Sequence, residues 1–299
     1  MSVIERDIPL APYTTFRIGG PASYFTVPES LEEYRKCMLW AVKKELPFFI
    51  LGGGANILVS DKGYRGLVIH TKKLKGEQIK GTDITAECGV MIDHLVEVSL
   101  EHCLSGIEFA AGLPGTVGGA LYMNAQVYKV SFASIIKEVR IFQLKGRELE
   151  EKVLKRKELV QSSSYKRSVF QREYYFVSKA VFGLKKAPHT EILSKIKENR
   201  ASRKEKGQYR YPNAGSIFKN NYKFGKPSGM IIDELGLKGT RIGDAEVYKE
   251  HANFIINRGS ATASDVYRLI RIIEDEVYKK RGIKLEREVL LIGDWEGQG

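Results

Sequence analysis

Two glycine-rich stretches carry the first chemical signal in this chain. Leu51-Gly52-Gly53-Gly54-Ala55-Asn56-Ile57 follows a compact apolar run, and Ala111-Gly112-Leu113-Pro114-Gly115-Thr116-Val117-Gly118-Gly119-Ala120 follows a helix-like one. Glycine adopts φ > 0 without strain and lets backbone N–H groups approach a ligand closely. Successive N–H groups can then form a concave nest that holds a pyrophosphate without a cation. One such loop alone reads equally well as a tight turn with no ligand. Two in one chain point to a dinucleotide. It would not be held in the Rossmann manner, because no G-x-G-x-x-G follows a strand, and there is no Walker A sequence. No H-E-x-x-H and no Cys/His cluster occurs, and His70, His94, His102, His189 and His251 lie far apart, so no metal site is expected.

The loops stand in a longer order. Thr15-Phe16-Arg17-Ile18-Gly19-Gly20 precedes the first, which continues through Asn56-Ile57-Leu58-Val59-Ser60-Asp61. Gly106-Ile107-Glu108-Phe109 leads into the second. Further on come Ala214-Gly215-Ser216-Ile217-Phe218-Lys219-Asn220, Gly236-Leu237-Lys238-Gly239, His251-Ala252-Asn253-Phe254 and Leu285-Glu286-Arg287-Glu288-Val289. In this collinear order, over nearly the whole chain, the sequence resembles the UDP-N-acetylenolpyruvoylglucosamine reductase family. It is similar to the shorter of the family's two forms, since no tyrosine-bearing insertion precedes the last segments.

The resemblance implies an α+β protein. A vanillyl-alcohol-oxidase-type FAD-binding domain (residues 1–185, in two α/β subdomains of about 1–70 and 71–185) would be followed by an α+β substrate-binding domain (186–299). It implies non-covalent FAD, NADPH as co-substrate, and UDP-N-acetylenolpyruvoylglucosamine as the substrate reduced for peptidoglycan synthesis. The FAD would lie against Leu51, Gly52, Gly53, Gly54, Ala55, Asn56, Ile57, Gly112, Pro114, Gly115, Thr116, Gly118 and Gly119. Ser216 matches the family's proton donor and Glu288 its catalytic glutamate; without the resemblance, each would pass for a turn residue or a strand-end carboxylate. Tyr165 and Asn220 match substrate-contacting positions.

Two places depart from the family pattern. Where the family shows Tyr-Arg-x-Ser, this chain has Tyr165-Lys166-Arg167-Ser168. In register Lys166 replaces the catalytic arginine, giving charge but not a planar fork; the alternative is that Arg167 takes over. Asn124-Ala125-Gln126-Val127-Tyr128-Lys129 lacks two glycines of the pattern, so Gln126 and Lys129 must avoid φ > 0 or bear strain. Arg200 and Lys204, sixteen and twelve residues before Ser216, are within reach of the UDP phosphates by sequence, though a basic helix face is equally often only solvated.

The elements that must position these residues follow from periodicity. Ser30 and Glu33 read as a capping box ahead of Leu31, Tyr34, Met38 and Ala41. Pro47–Leu51, Asn56–Val59 and Gly66–Ile69 read as strands around the first loop, and Ile92–Cys103 as a helix before the second. Val139–Phe142 and Phe176–Phe182 read as strands, Pro188–Lys206 as a basic helix. A last helix carries Val266, Leu269, Ile270, Ile273 and Val277, with Ser264 as its cap and Gly282 as its stop.

Composition limits the remaining classes. With 299 residues, 43% hydrophobic and 28% charged, the chain is neither disordered nor fibrous. Cys37, Cys88 and Cys103 are too few to staple it, which favours a reducing compartment, taken as the cytoplasm. The N-terminus has no signal-peptide pattern, and the longest uncharged stretch, Phe109–Tyr128, carries too much Gly, Pro and amide for a membrane span. The net charge of +12 fits a solvated lysine-rich surface or a polyanionic ligand. A nucleic-acid binder would need basic and aromatic residues clustered on one face, which the sequence does not show, so no nucleic-acid partner is expected. The other rival is an oxidoreductase of the same flavin fold with a different substrate; it should lack the Ala-Gly-Ser-Ile-Phe-Lys-Asn and Leu-Glu-Arg-Glu-Val segments. A monomer is the expectation, with no motif to fix it.

Overall fold

The computed structural model describes residues 2–127, 130–162, 165–171 and 174–295. The chain divides into two compact units: Met1–Glu5, Phe25–Gly53 and Gly66–Ser202 form one, and Arg6–Tyr24, Gly54–Arg65 and Arg203–Gly299 the other. Among the described residues the α-helices are α1 (Leu31–Lys43), α2 (Ile92–Glu101), α3 (Val117–Tyr122), α4 (Arg156–Ser162), α5 (His189–Glu205), α6 (Ser228–Glu234) and α7 (Ala263–Arg281).

The first unit is built on a five-stranded antiparallel sheet. Its order is Glu148–Lys155, Ile136–Lys145, Tyr175–Gly183, Asp83–Glu87, Glu77–Lys80. The central strands are apolar on the covered side, with Val139, Ile141, Ala180 and Phe182 buried, as expected for strands that present alternate residues to a core. In α1, Tyr34, Cys37, Met38 and Ala41 recur at three- and four-residue intervals and are buried. Ser30 caps this helix as the sequence suggests, accepting the Glu33 N–H; the Glu33 carboxylate accepts the Glu29 N–H. A parallel pair, Phe48–Leu51 beside Leu67–His70, delivers the chain to the first glycine loop.

The second unit joins a four-stranded antiparallel sheet (Asn213–Ser216, Phe254–Asn257, Ala245–Val247, Arg241–Ile242) to a parallel pair, Ile57–Val59 with Leu290–Ile292. Helix α7 buries Val266, Leu269, Ile270, Ile273 and Val277 in a core shared with Phe16, Leu58, Ile217 and Phe218. Gly282 ends the helix at φ 66°. The N-cap is Thr262 rather than Ser264: Thr262 accepts the Asp265 N–H, and Asp265 returns the bond to the Thr262 N–H in a complete capping box. Ser264 sits one residue inside the helix and gives both its N–H and its hydroxyl to Asp61, which also accepts the Ala263 N–H. A carboxylate held by the first N–H groups of a helix satisfies donors that have no partner within it. Asp61→Ala should therefore cost about 1–2 kcal/mol of stability, on the scale of a lost cap. Denaturant titration should show a lower midpoint with an unchanged slope.

Candidate active site

In the first unit the two glycine stretches pack on each other. A Cβ on Gly52 would lie 2.4 Å from the Thr116 hydroxyl, and one on Gly53 would lie 2.7 Å from the Gly115 Cα, so neither position has room for a side chain. Gly115 is different: its φ is 127° and a Cβ would meet nothing within 4 Å. Glycine is required there by conformation alone, and it leaves an open face. Most N–H groups of the second loop are already engaged. Val117 donates to the Val90 carbonyl, Gly118 to the Cys88 carbonyl, and Gly119 to the Thr116 hydroxyl. Among the described residues of this unit, the N–H groups of Gly53 and Gly115 meet no protein acceptor. Such donors fit a diphosphate. Leu51 is buried at the end of its strand, and Pro114 is exposed between the two turns of the second loop.

Neighbouring side chains hold these loops. Asp93, on the first turn of α2, accepts the Gly112 N–H at 2.7 Å and the Arg200 guanidinium at 2.8 Å, and Arg200 also pairs with Glu97. Arg200 thus stabilises the Gly112 turn instead of standing as an uncommitted phosphate ligand. Lys204 is exposed on the last turn of α5. His70 is a site residue that the sequence did not single out. Its ring hydrogen-bonds the Gly52 backbone and packs against Phe25. Burial, with help from the Lys72 charge, lowers its pKa to about 4.

That shift has a consequence for acid stability. The unfolded chain protonates His70 near pH 6.5 and the folded chain only near 4, so the unfolded state binds more protons between these values. Stability is complete above pH 6.5 and falls as the pH drops through the window, by on the order of 3 kcal/mol from this group. His70→Gln should flatten the decline between pH 6.5 and 4. Denaturant unfolding at pH 7.5 and 4.5 measures it.

The stretch Tyr165–Gln171 also belongs to the first unit. Lys166 has φ 56°, unusual for a residue with a side chain, and its Nζ stands 5.9 Å from the centre of the Tyr165 ring. Both residues are half-buried, whereas Arg167 is exposed. Gln126 lies in a short strand paired with Ser131 and so avoids positive φ, while Asn124 bears φ 40°. Lys129 lies outside the described residues.

In the second unit Ser216 closes the strand Asn213–Ser216. Pairing with Phe254–Asn257 slips by one residue, since Asn213 faces Ile256 and Ser216 faces Phe254. The extra residue is accommodated at Gly215, whose φ of 71° suits glycine alone, and the Gly215 N–H closes a turn on the Asn213 side chain. A bulge of this kind re-aims the following side chain. Ala214, Ile217 and Phe218 are buried in the core, while Ser216 remains half-exposed. Asn253 fixes the next residues: its backbone carbonyl accepts the Ile217 N–H, and its side-chain amide brackets both backbone groups of Phe218.

Glu288 lies on the stretch that pairs with this one. The Glu288 N–H donates to the Ile217 carbonyl at 2.7 Å, the Lys219 N–H donates to the Glu286 carbonyl, and Phe218 bridges Arg287. Register therefore puts Glu288 one residue from Ser216. Glu288 is buried at 8% exposure, whereas Glu286 is turned outward onto Lys219. Arg287 locks the segment to α7 through a two-bond fork on Glu274. Asn56 follows the first glycine loop. Its side-chain amide donates to the Glu288 carbonyl at 3.0 Å, and its own carbonyl accepts the Leu290 N–H. Ala55 and Ile57 flank it, with Ile57 starting the strand. Asn220 accepts the Ser228 N–H at the start of α6. Asn56 and Asn253 share a role in holding backbone, which their sequence contexts did not signal.

The sequence matches two family models: an FAD binding domain over residues 22–150, and the C-terminal domain of UDP-N-acetylenolpyruvoylglucosamine reductase over residues 207–292. The FAD binding domain and the C-terminal domain together make an α+β protein. The reductase of Borrelia garinii subsp. bavariensis is 40% identical, with 94% of this chain aligned to 90% of that protein. The reductase of Caldanaerobacter subterraneus subsp. tengcongensis is 38% identical, with 96% and 92% covered. The crystal structure of UDP-N-acetylenolpyruvylglucosamine reductase from Thermus caldophilus superposes with a TM-score of 0.83 at 34% identity, covering 98% of this chain and all of that one. Relatives this similar along nearly their full length share one ancestry and one fold, and on these grounds the chain belongs to the UDP-N-acetylenolpyruvoylglucosamine reductase family.

Proposed function

We propose that the protein reduces the enolpyruvyl ether of UDP-N-acetylenolpyruvoylglucosamine to give UDP-N-acetylmuramate for peptidoglycan synthesis in the cytoplasm, with NADPH as hydride source. The observation that carries the reading is that the buried Glu288 pairs with Ile217, the residue next to the bulged Ser216, on adjoining stretches. No described helix is long and apolar enough to cross a membrane. We assign flavin binding mainly to residues 1–185 and substrate binding mainly to residues 186–299.

FAD, when bound, supplies the hydride relay between NADPH and C3 of the enolpyruvyl group. The unengaged N–H groups of Gly53 and Gly115 would hold its diphosphate, with Thr116, Gly118 and Gly119 shaping the wall. As C3 gains a hydride, electrons move toward the substrate carboxylate and C2 becomes basic. Lys166 offsets the charge that develops on the carboxylate. Ser216 delivers the proton to C2, a reasonable donation because an enolate carbon is a strong base. Glu288 holds the proton path in place from the adjoining stretch. Tyr165 and Asn220 contact the substrate, and the exposed Arg167 beside Lys166 is the alternative cation.

Purified protein should be yellow and release FAD into the supernatant on acid precipitation. NADPH consumption should depend on the enolpyruvyl substrate. A colourless protein that FAD does not reconstitute would overturn the flavoenzyme reading, and a yellow one that ignores the enolpyruvyl substrate would overturn the substrate.

A further inference from the structure

The Lys166 stretch meets the C-terminal end of helix α3, where the Gln171 side-chain amide reaches the Met123 sulfur at 3.6 Å and two side chains converge on one backbone oxygen. The Tyr122 carbonyl, at the C-terminal end of α3, accepts the Ser168 hydroxyl at 2.6 Å and the Gln171 side-chain amide at 2.9 Å. The same Gln171 amide reaches the Lys166 carbonyl at 3.4 Å. Ser168 is 1% exposed. The last carbonyls of a helix have no intrahelical partner and carry partial negative charge, so this oxygen is a strong acceptor. The opposite end of α3 starts at Thr116, whose hydroxyl caps the helix within the second glycine loop. The helix is six residues long, a single short rigid piece.

We propose that Ser168 and Gln171 are positioning residues. Through the Tyr122 carbonyl they fix the Lys166 backbone relative to the flavin loop. The proposal rests on the assignment of Lys166 to the substrate carboxylate. Lysine is a point charge on a flexible stem and lacks the planar fork of arginine, so its placement depends more on how its backbone is held. The backbone at Lys166 is left-handed, a conformation that persists only where the surroundings impose it. Two hydrogen bonds converging beside it supply that constraint.

The test is a double-mutant cycle read by stopped-flow on the holoenzyme. Ser168→Ala should slow flavin reoxidation by the enolpyruvyl substrate on the order of ten- to a hundredfold, the scale of a misplaced catalytic group. FAD affinity and the rate of flavin reduction by NADPH should change less than about twofold, within the spread expected of an uncoupled site. Ser168→Thr, which keeps the hydroxyl, should recover part of the loss. In a Lys166→Ala background Ser168→Ala should add almost nothing, because the group it positions is gone. Gln171→Leu provides the same cycle should Ser168→Ala fail to fold. Full additivity on Lys166→Ala, or loss of FAD affinity in step with reoxidation, would show that Ser168 only supports the fold. If Lys166→Ala itself leaves reoxidation unchanged, the Lys166 assignment falls and takes this inference with it.

Discussion

Ser216→Ala should leave flavin reduction by NADPH near its normal rate while reoxidation by the enolpyruvyl substrate falls by roughly 10²–10⁴-fold, the contribution typical of a positioned general acid. The two steps differ in what they need. Hydride transfer into the flavin requires no proton at the substrate carbon, whereas hydride addition to the enolpyruvyl group leaves a charge that only a proton at C2 removes. The bulge at Gly215 makes the test specific, because it aims Ser216 away from the core that its neighbours Ala214 and Ile217 fill. Loss of the hydroxyl should therefore disturb packing little. Ser216→Cys should recover part of the rate, since a thiol is a stronger acid of similar reach. Equal slowing of both steps would mean that Ser216 positions the flavin or supports the fold, and the proton-donor role would have to be withdrawn.

Lys166→Ala should slow the substrate step on the order of a hundredfold or more, the scale of a lost oxyanion stabiliser. Lys166→Arg should keep substantial activity, since it restores the charge and adds a fork. Arg167→Ala should be mild. The opposite pattern, with Arg167→Ala crippling and Lys166→Ala mild, would transfer the role one residue along. Stability offers an independent readout. Lys166 at φ 56° bears a cost that glycine does not. Lys166→Gly should thus be at least as stable as the parent, by up to about 1 kcal/mol, while losing the substrate step. A thermal melt combined with a single-turnover assay would show stability and activity moving in opposite directions.

The sequence by itself determined the family and those elements whose apolar residues follow a clear pattern. Helix α7 announced itself through Val266, Leu269, Ile270, Ile273 and Val277 and through Gly282, because burial of one face imposes a 3.6-residue period on any helix. The strands around the first glycine loop are legible as short continuous apolar runs, because strands covered on both faces lose the alternation. The cap of α7 was misplaced by two residues, since Thr262 and Ser264 offer the same hydroxyl and only the path of Asp61 decides which one caps the helix and which one binds the carboxylate.

What tertiary structure decided was how polar side chains are committed, because a polar group chooses its partner by distance and not by sequence separation. Asn56 stands in a cofactor-loop motif yet spends its amide on the Glu288 carbonyl, more than two hundred residues away. Arg200 reads as a phosphate ligand by spacing, and its guanidinium pairs with Asp93 and Glu97 within its own unit. Of Glu286 and Glu288, two positions apart, one reaches Lys219 at the surface and the other is buried, a difference set by the pairing of 286–288 with 217–219. Apolar burial writes its period into the chain, whereas each buried polar contact is a single long-range coincidence that leaves no period to read.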